Sequence, residues 1–99
     1  MKKIEFYTMI IRDGKPHAEP VNGYTDGTFY YYRNAECKTW HAVHPMVGLS
    51  VASGDTLRGT VDSAYTPDRL KRVNAEIDKR GAIMSAAYAE AIFVAQEVR

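Results

Sequence analysis

Along residues 3–12 the chain alternates, with Ile4, Phe6, Thr8 and Ile10 on one side of an extended backbone and Lys3, Glu5, Tyr7, Met9 and Ile11 on the other. A period of two predicts a strand in a half-buried sheet. Asp13-Gly14 supplies the positive φ angles of a tight hairpin turn, so a short second strand over residues 17–21 is expected to pair back. Pro16 and Pro20 cannot donate to a ladder, which makes that strand an edge. Asn22-Gly23 and Asp26-Gly27 read as further turns. Residues 28–33, with Phe29, Tyr30, Tyr31 and Tyr32 in succession, form the strongest strand signal. Residues 39–44 and 49–53 complete an antiparallel meander of four or five strands, with Pro45 and Gly48 in the last turn.

From residue 55 the period becomes helical. Either Asp55 or Thr56 can cap a first turn, and Leu57, Val61 and Ala64 share one face of a short helix that Gly59 weakens. Thr66-Pro67-Asp68 is a cleaner start: Thr66 as N-cap, Pro67 where a missing N–H costs nothing, Asp68 at the positive end of the dipole. Leu70, Ile77, Met84, Ala91 and Val98 then recur every seven residues, with Val73, Ala87 and Val94 between them. The stripe keeps its phase through Gly81, which favours one helix over residues 67–98. A break at Gly81, with Ser85 capping a second helix, is the alternative. The continuous helix would be about 48 Å long, against a radius of gyration of about 13 Å for a compact domain of this size. It is expected to overhang its sheet.

Residues 82–95 are apolar nearly all round, interrupted by Ser85 and Glu90. Such a helix needs cover on more than one side. A second copy of the chain is the expected cover, giving a homodimer or higher homo-oligomer through Met84, Ala87, Tyr88, Ala91, Val94, Ala95 and Val98. Ala87, Ala91 and Ala95, four apart, let another backbone approach closely.

A chain of 99 residues holds one domain. It reads as α+β over residues 1–99: a sheet in 1–54, then C-terminal helices in 55–99 packed on one face. Thirteen Lys+Arg against twelve Asp+Glu and 45% hydrophobic residues describe a folded chain and not a disordered tail. No apolar run approaches the ~20 residues of a membrane helix, and none follows the basic start Met1-Lys2-Lys3, so neither a span nor a signal peptide is expected. The single cysteine, Cys37, fits a reducing cytoplasm.

Candidate chemistry is sparse. Cys37, His41 and His44 are the only soft ligands close together, and on a regular strand His44 points away from the other two, so no metal is expected. Ser50 or Ser53 with a histidine and Asp55 lacks a nucleophile-elbow context, and the chain has no P-loop, dinucleotide fingerprint or paired-carboxylate motif. A non-enzymatic protein without cofactor is the expectation.

The aromatic strand is the stronger candidate. If Phe29 and Tyr31 face the helices, Tyr30 and Tyr32 join Tyr7, Met9 and His41 on an exposed sheet face, rimmed by Arg33 and Lys38. Such a face suits a protein interface, where Tyr, Trp and Met bring contact area at low entropic cost. The alternative is stacking of single-stranded nucleic acid or a nucleotide on the same rings. A net charge of +1 gives that alternative little counterion release.

Trp40-His41-Ala42-Val43-His44-Pro45, with Gly48-Leu49-Ser50-Val51 and Gly54-Asp55-Thr56-Leu57, resembles a pattern in small uncharacterised proteins of bacterial phages and mobile elements. The last turn is also similar to one in HicB-type antitoxins. The first resemblance implies a phage-encoded inhibitor of a bacterial defence system, of the anti-CRISPR type, acting in the host cytoplasm on a protein partner. It carries over no catalytic residue.

Overall fold

The computed structural model describes residues 1–97. Five strands, β1 (Lys2–Arg12), β2 (Lys15–Thr25), β3 (Tyr30–Asn34), β4 (Thr39–Val43) and β5 (Ser50–Gly54), are followed by α1 (Leu57–Ala64) and α2 (Pro67–Glu97). All neighbouring strands are antiparallel and lie in chain order, an uninterrupted meander. The fold is α+β, with the helices packed on the sheet.

The β1–β2 turn is as its sequence requires. Asp13 and Gly14 both take positive φ, 54° and 75°, the mark of a two-residue type I′ hairpin. Counting back from the closing pair Arg12–Lys15, Pro16 and Pro20 fall opposite Ile11 and Tyr7 at positions whose backbone groups point away from β1. The hairpin ladder therefore loses no bond to either proline. β2 meets β3 only at Tyr24 and Thr25, so residues 15–23 form an open edge that the prolines protect from further pairing.

β2 runs to Thr25, longer than the expected 17–21, because Asn22-Gly23 is not a turn. Gly23 pairs with Ile4 inside the strand, and a Cβ there would collide with the Tyr31 carbonyl oxygen. Its missing side chain has a second use. Phe6 of β1 crosses the bare backbone and packs on Tyr30 of β3, ring centroids 4.8 Å apart, and edge-on to Tyr32 at 6.0 Å.

The sheet thus coils until non-adjacent strands touch, and it carries a core on each face. Phe29, Tyr31, Ala42 and Ala52 pack with Ala64 of α1 on one face; Phe6, Tyr32 and Val43 pack on the other. The ends of the coil are joined by the segment 44–49. Its Gly48 carbonyl accepts from the Met9 amide at 2.8 Å and from the Thr8 hydroxyl at 3.4 Å, on the outer edge of β1. Between β4 and β5, Val51 is the extra residue of a bulge, and its carbonyl is taken by Arg69 Nη1 at 2.8 Å.

Thr56 caps α1, its hydroxyl accepting from the Gly59 amide at 3.0 Å. Thr66 does not cap α2 as expected; its hydroxyl turns back and donates to Ser63 O, tying the two helices together. Pro67 and Asp68 take their expected places in the first turn.

α2 is continuous through Gly81, which is buried, with Ile77 and Met46 crowding the place a Cβ would occupy. The expected overhang is not found. The Cα radius of gyration is 13.2 Å and the longest principal extent 36 Å, less than the ~46 Å of 31 helical residues laid straight along it. The helix instead wraps the molecule obliquely, from α1 to the β1–β2 hairpin. No helix among the described residues is long and apolar enough to cross a membrane.

Candidate interaction surfaces

The aromatic sheet face expected from the sequence does not exist as an open surface. Tyr32 is 9% exposed and Tyr30 half-buried, both against Phe6. Burying a large side chain is worth roughly 1.5–3 kcal/mol, and the coiling of the sheet spends these rings on its own second core. The residues are also split. Phe6 shares its face with Tyr30 and Tyr32, so Tyr7 and Met9, alternating with it, point to the opposite side. Main-chain groups of Tyr7 and Met9 hold the β1 edge: the Tyr7 carbonyl accepts from the Tyr88 hydroxyl and the Met9 amide donates to Gly48. Only Arg33 and Lys38 of the expected contact set are exposed, at the β3–β4 end, where Lys38 takes a left-handed φ of 56°.

His41 is half-buried and stacks on Tyr32, centroids 5.3 Å apart and planes 24° apart. Burial depresses its basicity, so the ring is neutral at pH 7. The same burial raises the Tyr32 phenol. His41 Nδ1 lies 3.1 Å from Ser50 Oγ, a serine–histidine pair that spacing alone could not reveal, because the bulge at Val51 shifts Ser50 into reach. The Ser50 hydroxyl also lies 3.2 Å from Ala52 O, so its one rotatable proton has two acceptors within reach, and the direction of the pair depends on the His41 tautomer.

Cys37 is an exposed thiol, and His44 accepts from the Met46 amide at 3.2 Å through Nδ1. Among the described residues no three His, Cys, Asp or Glu side chains converge as metal ligands. Ser53 and Asp55 sit at the end of β5 and before α1, where Thr56, the residue after Asp55, supplies the cap.

The α2 surface is redistributed relative to its sequence stripe. Leu70, Val73, Ile77, Gly81, Met84, Tyr88, Ala91 and Ala95 are buried or half-buried. The successive steps of four from Val73 to Gly81 follow the true helical period of 3.6, so the inward positions move from Ala87 and Val94 to Tyr88 and Ala95. Tyr88 is buried within this chain and Met84, Ala91 and Ala95 half-buried, so these four face the chain's own sheet. Ala87 and Val94 are exposed, and Val98 lies outside the described residues.

The opposite face of the helix carries Lys79, Ile83, Ala86, Glu90, Phe93 and Glu97, at alternating spacings of four and three. Ile83 is 76% exposed, Phe93 60% and Val94 49%. Ile83, Ala86 and Phe93 thus stand among Lys79, Glu90 and Glu97 as exposed apolar positions that no element among the described residues covers. The sequence signal for them was the near-absence of polar residues over 82–95; which side stayed open depended on the one-residue shift just described.

Comparison of the chain with family models, with curated proteins and with solved structures found no match, so these surfaces stand on their own geometry.

Proposed function

We propose that this chain is a non-enzymatic binding protein that pairs with a second copy of itself through the outer face of α2. The observation that carries this reading is the exposure of Ile83, Phe93 and Val94 on one side of a helix whose other side is already packed. Two copies bring six such side chains together. At roughly 1.5–3 kcal/mol for a fully exposed side chain, the part of each that is still exposed provides about 6–11 kcal/mol in all, against about 4–15 kcal/mol lost on association. Pairing is therefore in range and concentration-dependent.

The charges choose the orientation. In an antiparallel pairing centred on position 88, Ile83 meets Phe93, small Ala86 meets Glu90, and Lys79 meets Glu97, since each pair of numbers sums to the same value. A parallel pairing would set Glu90 on Glu90 and Lys79 on Lys79, which repel. The dimer presents two copies of the exposed basic pair Arg33 and Lys38 to a protein partner, a bivalent arrangement that raises avidity without new contacts. The resemblance of residues 40–57 to mobile-element proteins makes a bacterial defence component the first partner to try. The nucleic-acid alternative loses its support, since the rings it relied on are covered by Phe6.

Cross-linking tests the pairing. In a Cys37→Ser background, Lys79→Cys with Glu97→Cys, which leaves Ile83 and Phe93 in place, is expected to oxidise to a covalent dimer carrying two bridges. A double variant that stays monomeric under oxidation contradicts the antiparallel arrangement.

A further inference from the structure

A second feature lies on the other side of α2, where the first half of the helix spans the segment 44–51. A cleft of about 320 Å³ opens there, room for roughly ten water-sized groups at about 30 Å³ each. Its walls are apolar: Leu49 and Val51 from the sheet side, Val73, Ile77 and Met84 from α2. Its polar lining is Arg69, Arg72 and Glu76 on the helix side and His44 and Ser50 on the sheet side, two cations against one acid.

Neither guanidinium is in an ion pair among the described residues, although Glu76, four residues after Arg72, also lines the cleft; its carboxylate lies 3.7 Å from Arg80. Arg69 uses Nη1 to hold the bulge carbonyl of Val51, while its buried Nε–H finds no acceptor among the described residues. A buried donor left unsatisfied costs about 1–3 kcal/mol. His44, whose Nδ1 accepts from the Met46 amide, also lines the cleft. The apolar cleft thus carries two guanidinium groups against the single carboxylate of Glu76, an excess of positive charge.

We propose that this cleft binds a medium-chain aliphatic monocarboxylate, its hydrocarbon chain between α2 and the β5 bulge and its carboxylate on the Arg69–Arg72 side. A carboxylate matches the planar fork of a guanidinium with two parallel hydrogen bonds. The slot suits a free alkyl chain better than a peptide terminus, because buried peptide amides would need partners that these walls do not provide. The site is independent of the α2 outer face and does not rest on the pairing proposed above.

Sodium octanoate, titrated into the intact chain at neutral pH and followed by amide chemical shifts, tests it. The expected result is a saturable, single-site response centred on Val51, Arg69, Val73 and Ile77. Octan-1-ol is expected to bind at least tenfold more weakly, and exposed Arg72, changed as Arg72→Gln, is expected to weaken octanoate at least tenfold with the spectrum otherwise kept. Ile83→Ser with Phe93→Ser is expected to leave the affinity unchanged. No saturable response, equal affinity for the alcohol, indifference to Arg72→Gln, or a response centred on Ile83 and Phe93 would each overturn the proposal.

Discussion

Tyr88 and Tyr7 stand 81 positions apart in the chain, and the phenol of the first donates to the backbone carbonyl of the second. The same ring lies flat against Gly48, leaving no room for a side chain there. One α2 residue thereby fixes both the outer edge of β1 and the segment that closes the coiled sheet. Gly48 is needed twice over, since its φ of 71° also lies in the left-handed region. Gly48→Ala is expected to destabilise by about 2–4 kcal/mol, combining overpacking with the left-handed penalty. Tyr88→Phe keeps the ring and loses one bond, at roughly 1–2 kcal/mol. Urea unfolding of both variants measures the difference; equal losses would contradict the two roles assigned to the ring.

Asp26 organises the other end of the molecule. Its carboxylate accepts from the Thr28 and Phe29 amides at 2.9 Å and from the Tyr31 and Tyr65 hydroxyls at 2.7 Å, joining a turn, a strand and the link between the helices. Partial burial pushes its pKa up, but these hydrogen bonds outweigh that and hold it below the ordinary carboxylate value. The same burial, with the Asp26 charge behind it, raises the Tyr31 phenol far above its usual range.

The sign of the pH dependence follows. A carboxylate with a depressed folded-state pKa contributes stability above its unfolded value, near 3.8, and loses it as pH falls through the folded value. Asp26→Asn is expected to cost roughly 1 kcal/mol at pH 7, allowing for solvent screening of an exposed residue. The gap between wild type and variant should narrow as the pH drops below about 4. A gap that stays constant between pH 7 and pH 2.5 in denaturant titrations would remove the hydrogen-bonded carboxylate from the account.

Gly23 marks the limit of what the sequence could say. Asn-Gly is a turn dipeptide by local propensity, and the first two turns, at Asp13-Gly14 and Asp26-Gly27, were legible for that reason. Gly23 instead answers a tertiary demand, the close passage of Tyr31 O and the path of Phe6 across β2. No local pattern encodes that demand. The coiling that follows from it also explains why Tyr30 and Tyr32, correctly placed opposite Tyr31 by alternation, end in a second core and not at a surface. Gly23→Ala is expected to cost at least about 3 kcal/mol, a backbone collision and not a lost contact. A Tm within 2–3 °C of wild type, a shift of well under 1 kcal/mol for a domain of this size, would show that the strands pass farther apart than described.

The helical half was legible in kind and misplaced in detail. Spacing identified α2 as one helix, because Gly81 did not disturb the phase. It assigned Met84, Tyr88 and Ala91 to a second copy because a seven-residue repeat cannot show which side its own sheet will occupy. The outward stripe of Ile83 and Phe93 was hidden within a segment that is apolar on every side. His41 and Ser50, nine apart in sequence, came within bonding distance only through the bulge at Val51.

Sedimentation equilibrium of the intact chain from micromolar to millimolar concentration measures the pairing itself. A reversible shift from 11.1 kDa toward twice that mass is expected, abolished in Ile83→Ser with Phe93→Ser while the fold is retained. A single 11.1 kDa species across the whole range, or self-association that persists in the double variant, would contradict it.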